Sequence, residues 1–164
     1  MREPSASAQT AAEILDRVGA RWAYVGAFAA LRYRATPRLT TDVDILVAPV
    51  DGMVEAFERA GYEVTVIADE GEPPHLVLVR GRGDRIDLML PAIAYQRVAL
   101  DRAIDHVITA EDVIIHKLIA WRARDRNDIV SILETGHVLD ETYIRRWAQE
   151  WSVLDRWEEA RAAR

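Results

Sequence analysis

Apolar residues recur along this chain in two periods, and the alternation between them predicts most of its elements. Over residues 5–20 (SASAQTAAEILDRVGA), Ala11, Ile14, Leu15 and Val18 fall at helical spacing and Gly19 follows as a stop. Residues 22–25 read as a short strand, Gly26-Ala27 as a turn and residues 28–33 as a helix start. A loop broken by Pro37 leads to a central strand over residues 41–47. A second amphipathic helix spans residues 49–61, with Met53, Val54 and Phe57 inward, Pro49 near its start and Gly61 just past its end. Residues 62–67 alternate as a strand, and 69–74 form an acidic turn. Residues 75–80 and 85–90 make a hairpin joined by Gly81-Arg82-Gly83-Asp84.

The second half reads as helices. Residues 93–102 form a helix or extended cover. Thr109, with Asp112 three residues on, caps a long helix that ends near Arg124. Asp125 reads as the N-cap of a short helix over 126–133, stopped by Gly136. Asp140 caps the last helix, in which Ile144, Trp147, Trp151 and Leu154 follow a three-four pattern. These tryptophans and Trp157 are read as core or interface residues rather than base-stacking platforms. This order of elements, with its antiparallel hairpin, predicts an α+β fold: a mixed sheet with helices packed on one face, plus C-terminal helices.

The chemistry concentrates on two of those strands. In TTDVDILV, period two puts Asp42 and Asp44 on one face and Val43, Ile45 and Val47 on the other. Paired carboxylates repel, and a divalent cation with a taste for hard oxygens removes that cost. In RIDLML, Ile86, Leu88 and Leu90 share one face while Asp87 points to the other, a candidate third ligand on a neighbouring strand. The Gly26-Ala27 turn could hold a phosphate close by. On one continuous helix Lys117, Trp121, Arg124 and Asp128 would share a face able to meet phosphates. The alternative is a solvated helix end that favours cations anyway, with Asp125 a simple cap. Arg38 could pair with either aspartate or with a phosphate. His75 and His116 receive no role.

Composition narrows the classes. At 164 residues, half of them hydrophobic, the chain is long enough for one domain with its own core. It contains no cysteine, which excludes disulfides, thiol chemistry and cysteine-based zinc sites. The histidines at 75, 106, 116 and 137 are too scattered for a histidine metal site. A net charge of −6, from 21 basic and 27 acidic residues, argues against non-specific nucleic-acid binding by overall charge. No membrane span or signal peptide is expected, and the cytoplasm is the default compartment.

The stretch GAFAALRYRATPRLTTDVDILV resembles the start of a nucleotidyltransferase-fold domain of the DNA polymerase β superfamily. Arg38, Thr40, Asp42 and Asp44 match its Arg-x-Thr-x-Asp-x-Asp strand, and RIDLML with Asp87 matches its third-carboxylate strand. EDVIIHKLIAWRARDRNDI is similar to the signature of the AbiEii/AbiGii toxin-like subgroup, with Lys117, Arg122, Arg124, Asp125 and Asp128 falling on it. The resemblance implies a nucleotidyltransferase-like domain over residues 1–134 and a helical extension over 135–164. It implies Asp42, Asp44 and Asp87 as ligands of Mg2+, and Asp42, Asp44, Asp87, Lys117 and Asp125 as catalytic residues. It further implies nucleotide binding by Gly26, Ala27, Arg38, Thr41 and Arg124. The expected reaction moves a nucleoside monophosphate from an NTP to an acceptor hydroxyl. RNA is one acceptor class, and the toxin of a toxin–antitoxin pair, with an antitoxin protein as partner, is one setting.

The family commonly carries Gly-Ser or Gly-Gly where this chain has Gly26-Ala27. That departure supports the rival expectation of a catalytically weak or inactive binding module. A phosphohydrolase with an aspartate nucleophile ranks last, because Asp42 precedes the apolar run instead of following it.

Overall fold

A computed structural model describes residues 4–36 and 40–163. Helix α1 (Pro4–Arg17) leads into β1 (Trp22–Tyr24), the short helix α2 (Gly26–Ala30) and β2 (Val43–Val47). Helix α3 (Met53–Arg59) precedes β3 (Glu63–Ile67), β4 (Leu76–Gly81) and β5 (Asp84–Met89). Helices α4 (Ala94–Arg102), α5 (Ala110–Ala120), α6 (Ala123–Glu134), α7 (Glu141–Glu150) and α8 (Leu154–Ala162) complete the chain. The strands form one mixed sheet in the order β1-β2-β5-β4-β3. Within this sheet, among the described residues, β2 and β5 are the one parallel pair, with Asp44 directly opposite Asp87.

The two apolar periods build two cores. Val43, Ile45, Val47, Ile86 and Leu88, all fully buried, meet Ala11 and Leu15 of α1 and Phe57 of α3 on one face of the sheet. Period two therefore turns Asp44 and Asp87 to the other face. A second core joins α2, α4 and the C-terminal helices, with Ile114, Leu118, Ile129, Ile132, Ile144 and Trp157 at its centre. Trp147 belongs to it, whereas Trp151 is 36% exposed. The architecture is the α+β arrangement expected, and residues 93–102 resolve as a helix rather than an extended cover.

Four boundaries differ from expectation, each for a physical reason. The left-handed Gly52 (φ 78) starts α3 four residues past Pro49. The helix capped by Thr109 ends at Ala120, where Trp121 turns left-handed (φ 49) and donates its N–H to the Lys117 carbonyl at 2.8 Å. No glycine or proline announces this break. Arg156 of α8 donates to the carbonyls of Leu118 (2.8 Å) and Ile119 (3.1 Å), supplying partners that a continued helix would otherwise provide. Asp125 is accordingly not an N-cap. Arg122 holds that position, and Asp125 sits three residues into α6, accepting the Arg122 backbone N–H at 3.0 Å. Likewise the last predicted helix is two, divided at Trp151 and Ser152 (φ 55), so that Leu154 opens α8.

Candidate active site

Gly26 has φ 59, a conformation that glycine adopts freely and other residues rarely do. Its backbone lies directly against Asp44: a Cβ built on Gly26 would stand 2.2 Å from Asp44 Oδ2. The Val25 N–H donates to the Asp44 carbonyl at 2.9 Å, so the turn and the β2 carboxylate are one unit. Ala27 has no positive φ and is already helical. The backbone demand in this turn falls on Gly26 alone, and alanine at the next position meets no conformational obstacle.

Around this unit is a pocket of about 280 Å³. Gly26, Ala27, Asp42, Asp44, Asp87, Lys117, Arg124 and Asp125 all line it, although they come from five separate elements and the loop before β2. Thr41 does not; its neighbour Thr40 does, while the Thr41 hydroxyl donates to Asp42 Oδ1 at 3.3 Å. Arg38 lies outside the described residues. His116, Ala120 and Arg122 also line the pocket and were absent from the sequence-derived set. Arg122 was recoverable from its place in the Lys117–Asp128 segment. His116, which immediately precedes a buried lysine on an apolar helix, carried no signal of its own.

The carboxylates experience one another. Burial first, and then the charges of Asp87 and Asp42, push the Asp44 pKa above the ordinary carboxylate value, against the pull of Lys117 and Arg122. Arg80 of β4 donates to Asp87 Oδ1 at 2.6 Å, and Arg85 Nε lies 3.4 Å from Asp42 Oδ1. Among the described residues no three acidic or histidine side chains converge into a ready-made cation cage. The donor set nonetheless suits a hard divalent ion, because three carboxylates line one pocket and a cation would relieve the repulsion that perturbs Asp44.

Opposite the carboxylates is a buried ionic knot. Lys117, 4% exposed, places Nζ 2.5 Å from Asp128 Oδ2 and 3.4 Å from Asp125 Oδ1. Arg34 also pairs with Asp128, and Arg122 Nε donates to Asp125 Oδ2 at 2.6 Å. Burial raises the Asp125 pKa, but the hydrogen bonds from Arg122 and the charge of Lys117 outweigh it and leave the pKa lowered. Lys117 and Asp128 therefore meet across the break at Trp121, not along a continuous helix face. His116 is held neutral: desolvation foremost, with Lys117 adding, lowers its pKa to about 4.

The fold has solved counterparts. An antigenic nucleotidyltransferase-like protein from Paracoccidioides brasiliensis matches with a TM-score of 0.53 at 16% identity, over 80% of this chain and 75% of that one. The antibiotic-resistance factor ANT(2'')-Ia matches with a TM-score of 0.54 at 14% identity, over 96% of this chain and 92% of that one. The chain has the nucleotidyltransferase fold. No protein-family model and no curated protein sequence matches it. In this nucleotidyltransferase fold the paired carboxylates stand at the sheet face left open by α1 and α3, walled by the N-terminus of α2 and by α5 and α6. No helix among the described residues is long and apolar enough to cross a membrane.

Proposed function

We propose that the protein is a magnesium-dependent nucleotidyltransferase that moves a nucleoside monophosphate from an NTP to an acceptor hydroxyl. The observation that carries this reading is the parallel register of Asp44 and Asp87, with Asp42 two residues upstream, facing cationic side chains across one pocket. Asp42, Asp44 and Asp87 would hold Mg2+, which when bound supplies charge neutralisation of the triphosphate and orientation of the reacting oxygens. Gly26 and Ala27, whose amides open α2 and have no partner within the helix, line the pocket that the phosphates would enter. Arg122 and Arg124 offer the leaving pyrophosphate its countercharge.

The acceptor oxygen attacks the α-phosphorus and forms a new P–O bond. The bond from the α-phosphorus to the β-bridging oxygen breaks, pyrophosphate departs, and the acceptor proton passes to the Asp87 carboxylate. Lys117 is a positioning residue in this scheme. Its ammonium is committed to Asp125 and Asp128 and acts on the carboxylates through its field.

The reading rests on transfer, so the test is transfer. Purified protein with α-labelled NTPs, Mg2+, cellular RNA and small hydroxyl acceptors is expected to move label onto one acceptor class. The Asp42→Asn/Asp44→Asn variant is expected to move none. An unlabelled acceptor pool with wild-type protein, or equal labelling by the variant, overturns it. If RNA is labelled and expression arrests growth until a neighbouring gene is co-expressed, the toxin–antitoxin setting follows.

A second reading has its own support. Arg80 and Arg85 already engage Asp87 and Asp42, which a metal-free binding module would retain. Calorimetry separates the two, since such a module takes up NTP without a requirement for Mg2+.

A further inference from the structure

Behind the acidic pocket is a second one of different character. It measures about 240 Å³, is walled chiefly by Met89, Ile93, Ile119 and Trp151, and shares His116 and Ala120 with the first. Ile93, Ile119 and Trp151 are each more than a third exposed, so large apolar surface faces solvent beside a polar site. Its place in the sheet is informative. Met89 follows Asp87 by two residues on β5, hence on the same face and roughly 7 Å along the strand. Gly26 lies on the far side, after β1, with β2 between.

We propose that this slot is the acceptor subsite, and that it selects a small alcohol or phenol whose hydroxyl is borne on an aromatic or alicyclic body. The proposal rests on the nucleotidyl-transfer reading. That reading puts the triphosphate against Gly26 and the acceptor proton on Asp87, and the slot opens on the Asp87 side. An acceptor seated on Trp151 and Ile119 directs its hydroxyl past His116 toward Asp87. His116 has its charge suppressed by burial and presents an uncharged wall to both pockets. Few polar groups face the slot, and one of them, the Tyr95 hydroxyl, already donates to Asp112 at 3.2 Å. The Gln96 carbonyl oxygen is likewise spent on the backbone N–H groups of Ala92 (2.9 Å) and Ile93 (3.3 Å).

The test uses binding as well as turnover. Ligand-observed NMR with 2-naphthylethanol, with glycerol as the polar control, is expected to show the aryl alcohol binding at least tenfold more tightly. Ile119→Asp is expected to weaken it tenfold or more and to leave Mg–NTP binding within twofold. Trp151→Ala gives a second loss at the same wall should Ile119→Asp not fold. An aryl alcohol that binds no better than glycerol, or equally to both variants, overturns the proposal. So does a slot variant that weakens NTP binding, which would make the slot a nucleobase site, or displacement of the probe by an RNA 3′ end. Failure of aryl-alcohol binding with NTP binding intact counts against this proposal alone. Wild-type protein that binds no Mg–NTP removes the transfer reading, and this proposal with it.

Discussion

The Asp44 carboxylate fills the volume where any side chain on Gly26 would begin. Replacing Gly26 by alanine therefore incurs two costs. The left-handed backbone contributes about 1–2 kcal/mol, and the Cβ must in addition displace a half-buried carboxylate. Gly26→Ala is expected to lower the urea midpoint and to abolish Mg–NTP binding, whereas Ala27→Gly is expected to leave nucleotide binding intact. Denaturation and calorimetry on the two variants check the contrast.

Asp44 is expected to be held at the expense of stability. Its folded pKa is raised, so ionisation is harder in the folded protein than in the unfolded chain, and the penalty grows as pH rises through the carboxylate range. Asp44→Asn, isosteric and uncharged, is expected to raise Tm at pH 7 and to lose that advantage as pH falls. Added Mg2+ is expected to raise the wild-type Tm and not that of the variant. Thermal melts over a pH series, with and without Mg2+, measure both effects.

Lys117 compensates two carboxylates that are almost wholly buried. Removing it with Lys117→Met leaves Asp125 and Asp128 to Arg122 and Arg34, and is expected to cost roughly 3–5 kcal/mol. An exposed cation such as Arg124 is expected to cost far less when changed to Gln. Equilibrium denaturation of the pair distinguishes a structural knot from a solvated helix end.

His116 sets a different pH dependence. Its folded pKa is depressed from the ordinary 6.5 to about 4, so its contribution to stability is complete above 6.5 and is lost as pH falls through that window. The stability difference between wild type and His116→Phe is expected to shift toward the variant between pH 7 and 5. By NMR the His116 ring is expected to stay neutral throughout that range.

Much of the site was legible because its signals are local. Period two over VDILV and RIDLM separates the buried residues from Asp44 and Asp87 without reference to anything else in the chain. Thr109 and Asp140 announce helix starts through hydrogen bonds within one turn, and both are made. The apolar patterns of β3, β4 and α1 likewise place their elements within a few residues.

What only the tertiary structure decided depends on residues far apart in sequence. The parallel pairing of β2 with β5 brings Asp44 level with Asp87 across an intervening helix and two strands. The helix break at Trp121 is stabilised by Arg156, 38 residues from the Leu118 carbonyl it caps, so a reading of local propensity ran the helix through it. That break folds Asp125 and Asp128 back onto Lys117, turning an expected phosphate-facing lysine into the centre of a buried ionic knot. Side-chain periodicity is a property of neighbouring residues and is written in the sequence directly. Ion pairing and strand register are set by the packing of the whole chain, and no local stretch of sequence records them.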